Sequence, residues 1–136
     1  MSATIASAND ILNKEWGSTQ FSPVSNWYLG LSSSTPSVSG SNFTEPTFDP
    51  NYSRAVVPNN KSSFSVSTSS SVVNLITINF PQSSGSWGVM TYLGMFDNSA
   101  SSTNHLRHFI QLASPVTISA SSVFSLIPGA LTLSLT

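Results

Sequence analysis

The sequence predicts an all-β fold, an antiparallel β-sandwich of jelly-roll-like type with one short N-terminal α-helix, on three observations. Beyond Gly17, runs of Val, Ile, Leu and aromatic residues are short and separated by Ser, Pro, Asn and Gly clusters, the pattern of half-buried strands joined by turns. Helical periodicity is confined to the first sixteen residues. Only 7% of the 136 residues are charged, against roughly 25% in typical soluble domains, and roughly a third are Ser or Thr, so hydroxyls must coat the exterior. Many strands, few helices and regular turn signals favour a sandwich over a parallel α/β sheet.

The helix signal is Ile5, Ala8, Leu12 and Trp16, spaced by three and four on one face with Ile11 at its margin. Ser7 with Asp10 three residues later resembles a capping box, Asp10 suits the positive N-terminal end, and Gly17 stops the helix. Residues 1–17 are thus expected as a helical segment and 18–136 as a single β-sandwich domain, a length within the ~100–150 residues of one domain. The expected strands are 27–31, 54–57, 64–66, 72–80, 88–96, 106–112, 116–118, 123–127 and 131–135. Within 72–80, Asn74, Ile76, Ile78 and Phe80 share the more apolar face. The stretch 32–51, punctuated by Thr35-Pro36, Glu45-Pro46 and Asp49-Pro50, reads as a long surface excursion of the kind that often carries function. The Ser-rich stretches 67–71 and 99–103 read as hairpin connections, and no period of 20–50 residues marks a solenoid.

Several classes of chemistry have little material. Cysteine is absent, which removes disulfides, thiol chemistry and Cys-based metal sites. The N-terminus lacks a basic and apolar signal pattern and no run of ~18 apolar residues occurs, so neither secretion by a visible signal nor membrane insertion is expected. Lys14, Arg54, Lys61 and Arg107 are too scattered to neutralise a run of phosphates, which argues against nucleic acid. His105 and His108, three apart on a strand, point to opposite faces and cannot share one metal. Glu45 and Asp49 are the nearest carboxylate pair, beside prolines in one loop, where solvated surface charge is the expected role. Asp97, Asn98 and Asn104 lack the spacing of a calcium loop and read as a turn. No Gly-x-Ser-x-Gly elbow is present, and the triplets at Asn42, Asn51 and Asn60 match a glycosylation pattern at the frequency this Ser/Thr content produces by chance. No enzyme activity, cofactor or metal is expected.

A set of segments is more specific. Trp27-Tyr28-Leu29-Gly30-Leu31 leading to Thr35-Pro36, then Tyr52-Ser53-Arg54-Ala55-Val56, Asn79-Phe80-Pro81, the run from Trp87 to Asp97, and Phe124 to Leu135 with Pro128-Gly129-Ala130, resemble in content and order a family of small bacteriophage tail-fibre proteins. The resemblance covers most of the chain from Trp27 to Leu135, and the preceding helix also looks like the family's start. Phe48-Asp49-Pro50-Asn51 departs from the Gly-rich stretch usual before the Tyr-x-Arg element, and the segment around His105 to Phe109 is unusually polar. Gly30, Gly88 and Gly94 are expected to permit a bulge or close approach beside large aromatics.

The resemblance implies a virion structural protein on the phage particle surface, made in the bacterial host cytoplasm, with other tail or capsid proteins as partners. A net charge of −1 puts little repulsion between copies, in keeping with a homo-oligomer, expected as a trimer. The expected assembly interface is Ile5, Leu12 and Trp16, and the expected surface-loop contacts are Glu45, Asp49 and Tyr52. Capsid decoration is the alternative position in the particle. A carbohydrate-binding module recognising host-surface glycan is the alternative of another class, with Trp27, Trp87 and Tyr52 as candidates to stack on a sugar ring.

Overall fold

The computed structural model describes residues 2–17, 22–99 and 105–134. Along the chain lie β1 (Ser2–Ala3), α1 (Ile5–Glu15), β2 (Asn26–Ser32), β3 (Ala55–Pro58), β4 (Ser71–Val73), β5 (Ile78–Asn79), β6 (Gly88–Phe96), β7 (Leu106–Ile118), β8 (Ser125–Leu126) and β9 (Thr132–Ser134). The main sheet is antiparallel in the order β1-β7-β6-β2-β3, and two further antiparallel ladders, β4-β9 and β5-β8, supply the facing layer. The mostly β, antiparallel, sandwich-like architecture with one short helix is therefore the expected one.

The central strand β6 shows why. Its odd positions Leu93 and Met95 join Leu29, Leu31 and Val57 of the main sheet against Ile78, Phe80, Leu126 and Leu131 of the facing layer, forming the larger core. Its even positions Tyr92 and Phe96 belong to a smaller cluster on the other side with Leu106, Phe109, Tyr28 and Phe43. Gly30 and Gly94 are cross-strand partners. Their missing side chains leave the space that Phe43 fills: a Cβ on Gly94 would come within 2.6 Å of the Phe43 ring, and one on Gly30 within 3.3 Å. The Phe43 ring meets Phe96 edge to face at 5.1 Å. Close approach beside aromatics thus holds at these two glycines, whereas Gly88 serves a positive φ of 81° with open space around it.

Four strand expectations change. The stretch 72–80 is broken into β4 and β5, because Asn74, fully buried between them, is a hydrogen-bonding hub. Its Nδ2 donates to the Ile76 and Ile127 carbonyls (2.9 Å each), and its Oδ1 accepts from the Leu131 N–H (2.9 Å). The detour turns Leu75 and Ile76 outward while Ile78 and Phe80 remain in the core. The stretch 64–66 contributes one bridge, Phe64 to Asn74, in place of a strand. The stretches 106–112 and 116–118 are one strand, β7, whose pairing with β6 jumps from Tyr92–Gln111 to Met90–Val116. The short β1, pairing Ser2 and Ala3 with Phe109 and His108, carries no signal of its own in two residues.

The connection in 67–71 is a hairpin turn in which Thr68 and Ser71 exchange both backbone hydrogen bonds (3.1 and 3.0 Å) and Ser69 and Ser70 take positive φ. Of the expected connection 99–103, all but Ser99 lies outside the described residues, as do Asn104 and Leu135.

Candidate functional site

Helix α1 starts one turn earlier than a cap at Ser7 would give. Thr4 is the N-cap: its Oγ1 accepts the Ser7 N–H (3.3 Å) and donates to the Leu106 carbonyl (2.6 Å), while its own N–H reaches the Arg107 carbonyl (2.9 Å). Asp10 consequently lies outside the first turn. It pairs instead with Arg107 (2.9 Å) and Lys14 (3.8 Å), and Arg107 also holds Asp97 (2.5 Å). The Ser7 hydroxyl, buried, sits 3.3 Å from His108 Nε2.

These contacts put the polar side of α1 against β7. The apolar stripe is therefore turned away from the protein: Ile5 is 54%, Leu12 54% and Trp16 77% exposed, with Ala8 exposed between them. Ile5 and Leu12 are seven residues apart and Trp16 four further on, the seam spacing of a helix that packs on another element. The stripe continues onto the 32–51 loop, where Val38 accepts the Ile5 N–H (2.9 Å) and is itself 55% exposed.

The three expected loop contacts are placed differently. Glu45 and Asp49 are not solvated surface charges, and with Tyr52 they face inward. Glu45 Oε1 accepts from the Tyr52 hydroxyl (2.6 Å) and Arg54 Nε (2.9 Å), and Oε2 accepts from Arg54 Nη2 (2.8 Å). The guanidinium lies 3.3 Å from the Phe96 ring centroid, and the Glu45 and Arg54 side chains are both nearly inaccessible. Asp49 Oδ2 accepts from the Trp87 indole N–H (2.6 Å), the Ser84 N–H (2.9 Å) and the Gly85 N–H (3.2 Å), and Oδ1 from the Asn51 N–H (2.9 Å) and the Ser84 hydroxyl. The Ser84 hydroxyl is the main reason this carboxyl sits well below the usual carboxylate range, with the backbone and indole donors adding to it against the opposing effect of burial. Burial, then the Glu45 carboxylate, pushes the Tyr52 phenol far above its ordinary value. The long excursion is thus pinned from inside by two carboxylates, and it offers structure in place of free acidic groups.

No metal site forms from the residues singled out in the sequence. His105 Nδ1 lies 2.6 Å from Asp97 Oδ1 while His108 turns to Ser7, and no cluster of three metal-ligating side chains exists among the described residues. Ser7 and His108 have the spacing of a nucleophile and base. Among the described residues, however, His108 Nδ1 is buried without a hydrogen-bond partner, so the orienting group of a triad is missing. Burial, then the Arg107 charge, lowers the pKa of His108 and keeps the ring neutral.

Of the three aromatic residues weighed for sugar stacking, Trp87 and Tyr52 pack edge to face in the interior at 5.1 Å. Trp27 lines a groove of about 760 Å³ on the side of the sheet near α1, and Tyr52 also borders a separate recess of about 350 Å³, its hydroxyl committed to Glu45. The roles that the sequence does not announce are the Thr4 cap, the Asn74 hub and the Arg54 clamp. The first had a readable signal, a Thr three residues before Ser7 ahead of the periodic run.

No described helix is long and apolar enough to cross a membrane. The family model for podophage GP4 fiber I protein gp80 matches residues 2–134 of this chain. No curated protein matches it.

Proposed function

The chain belongs to the podophage GP4 fibre I protein family, with a structural role in the virion, and from that premise we propose that it is a non-catalytic fibre subunit whose copies join through the outward stripe of α1. The observation that carries this reading is the inverted helix. Ser7, Asp10 and Lys14 are spent on the protein's own β7 or on one another, while Ile5, Leu12 and Trp16 face water. Apolar side chains of this size lose ~1.5–3 kcal/mol each by staying exposed, so a sister copy covering them is favoured. A closed three-fold arrangement, the expected fibre symmetry, brings three such stripes around one axis. The low net charge puts little repulsion in the way.

Light scattering on the purified full chain should give three times the 14.4 kDa chain mass at micromolar concentration. Trp16→Ala and Leu12→Ala should shift it toward the monomer. A monomer in the unsubstituted chain, or a trimer indifferent to both substitutions, would remove α1 from the interface. Antibody labelling of particles should mark fibres and leave the head bare.

A further inference from the structure

We propose that the groove beside Trp27 is a binding site for a neutral oligosaccharide. Its volume, about 760 Å³, lies within the ~300–1,000 Å³ typical of small-ligand sites. The floor is apolar, built from Phe64 and Met95, and the half-buried Trp27 indole is part of the wall. The rim is neutral and hydrogen-bonding, with the Asn60 amide and the Ser67 and Ser70 hydroxyls. Lys61 is the one formally charged side chain lining it among the described residues.

A pyranose has the matching chemistry: an apolar C–H face that lies on an aromatic ring, edged by neutral hydroxyls that bond amides and serines. A strongly anionic or cationic ligand would find little compensating charge there. Beneath α1 the groove adjoins a second recess of about 460 Å³, the two sharing Ile11, Pro23, Trp27, Asn59 and His108, and there the lining turns charged, with Asp10, Lys14, Glu15, Asp97 and Arg107. The neutral ligand is therefore confined to the first groove. The neutral His108 ring, 6.3 Å from the Trp27 ring centroid, keeps the junction uncharged. Ser70 occupies its place on the rim at φ 60°, a left-handed conformation that is unfavourable for serine and is held by the Thr68–Ser71 hydrogen bonds.

The site needs one chain only and stands whichever face joins the copies. In an oligomer it would be repeated, so that individually weak sites act together on a polymeric surface.

The test is saturation-transfer NMR and glycan-array binding with the full chain, using neutral tri- to hexasaccharides built on glucose, galactose, mannose and N-acetylhexosamines. At least one series should bind saturably and perturb the Trp27 indole resonance. Trp27→Ala should weaken binding about tenfold or more. Ser67→Trp, which fills the groove from an exposed hairpin position and spares the core, should do the same at an unchanged melting temperature. No binding by any series, or binding that survives both substitutions, overturns the proposal. So does a Ser67→Trp chain that loses assembly mass when the unsubstituted chain binds no sugar, because the groove would then seat a sister copy.

Discussion

Glu45 and Arg54 form a nearly water-free pair with three charge-assisted or phenolic hydrogen bonds and a ring beneath the guanidinium. In such a pair the loss of one partner leaves the other charge buried and uncompensated. Glu45→Ala should therefore destabilise the protein by ~3–5 kcal/mol in urea denaturation, whereas Asp10→Ala, removing a half-exposed partner of Arg107 and Lys14, should stay within ~1 kcal/mol. Equal effects would show that the clamp is no stronger than a surface pair. Gly94→Ala should be damaging for the opposite reason, too much volume: its new methyl would press on Phe43 and Leu106, at ~1–3 kcal/mol. The acidic residues illustrate what a sequence conceals. Glu45 and Asp49 stand next to prolines in a polar stretch, which is the local pattern of a surface loop. Their burial depends on Arg54 and on Trp87, the latter 38 residues away in sequence, and nothing local marks that pairing. Gly30 and Gly94 were more legible, since a glycine amid large strand residues implies something close overhead.

At the scale of elements, α1 is readable in its periodicity but not in its start, which Thr4 caps in place of Ser7. The spacing of Ile5, Leu12 and Trp16 defines a face, but a face is conventionally turned inward, and here the bonds of Thr4, Ser7 and Asp10 to β7 turn it outward. The strand rhythm was legible where side chains alternate, as in β2 and β6, and failed at Asn74, whose side chain replaces the ladder with bonds to Ile76, Ile127 and Leu131. The helix orientation has a direct consequence for stability. Under conditions where the chain is monomeric, Trp16→Ala and Leu12→Ala should change the unfolding free energy by no more than ~0.5 kcal/mol, as surface substitutions do. Thr4→Ala should cost about 1 kcal/mol, because it removes the cap and the bond to the Leu106 carbonyl together. The reverse order would mean that the stripe packs within its own chain. The Ser69-Ser70 turn can be improved: Asn-Gly, the residues that accept left-handed φ most readily, should raise stability by ~0.5–1 kcal/mol.

For the whole molecule, pH joins the two ends of the fold. The His108 ring is buried between β7 and α1, with Arg107 from its own strand and Asp10, Lys14 and Glu15 from the helix around the same recess, and Asp97 from the end of β6 beyond. Its pKa is lowered in the folded chain, so below about pH 6.5, the ordinary histidine value, the unfolded chain binds a proton that the native chain does not. Stability is then full above that pH and declines as pH falls through the window beneath it. Asp49 has the same sign at a lower range. Its folded carboxyl resists protonation, so its contribution is complete above the unfolded carboxylate value of about 4 and is lost as pH drops further. Urea midpoints measured from pH 8 to pH 3 should consequently fall in two legs. His108→Gln, which keeps a polar side chain but cannot titrate, should flatten the first leg and leave the second. Asp49→Asn should lower stability at neutral pH and flatten the second leg alone. If the His108→Gln chain kept the full decline that sets in below about pH 6.5, the ring would have to be solvated in the native state, and α1 would not be seated on β7 by its polar side.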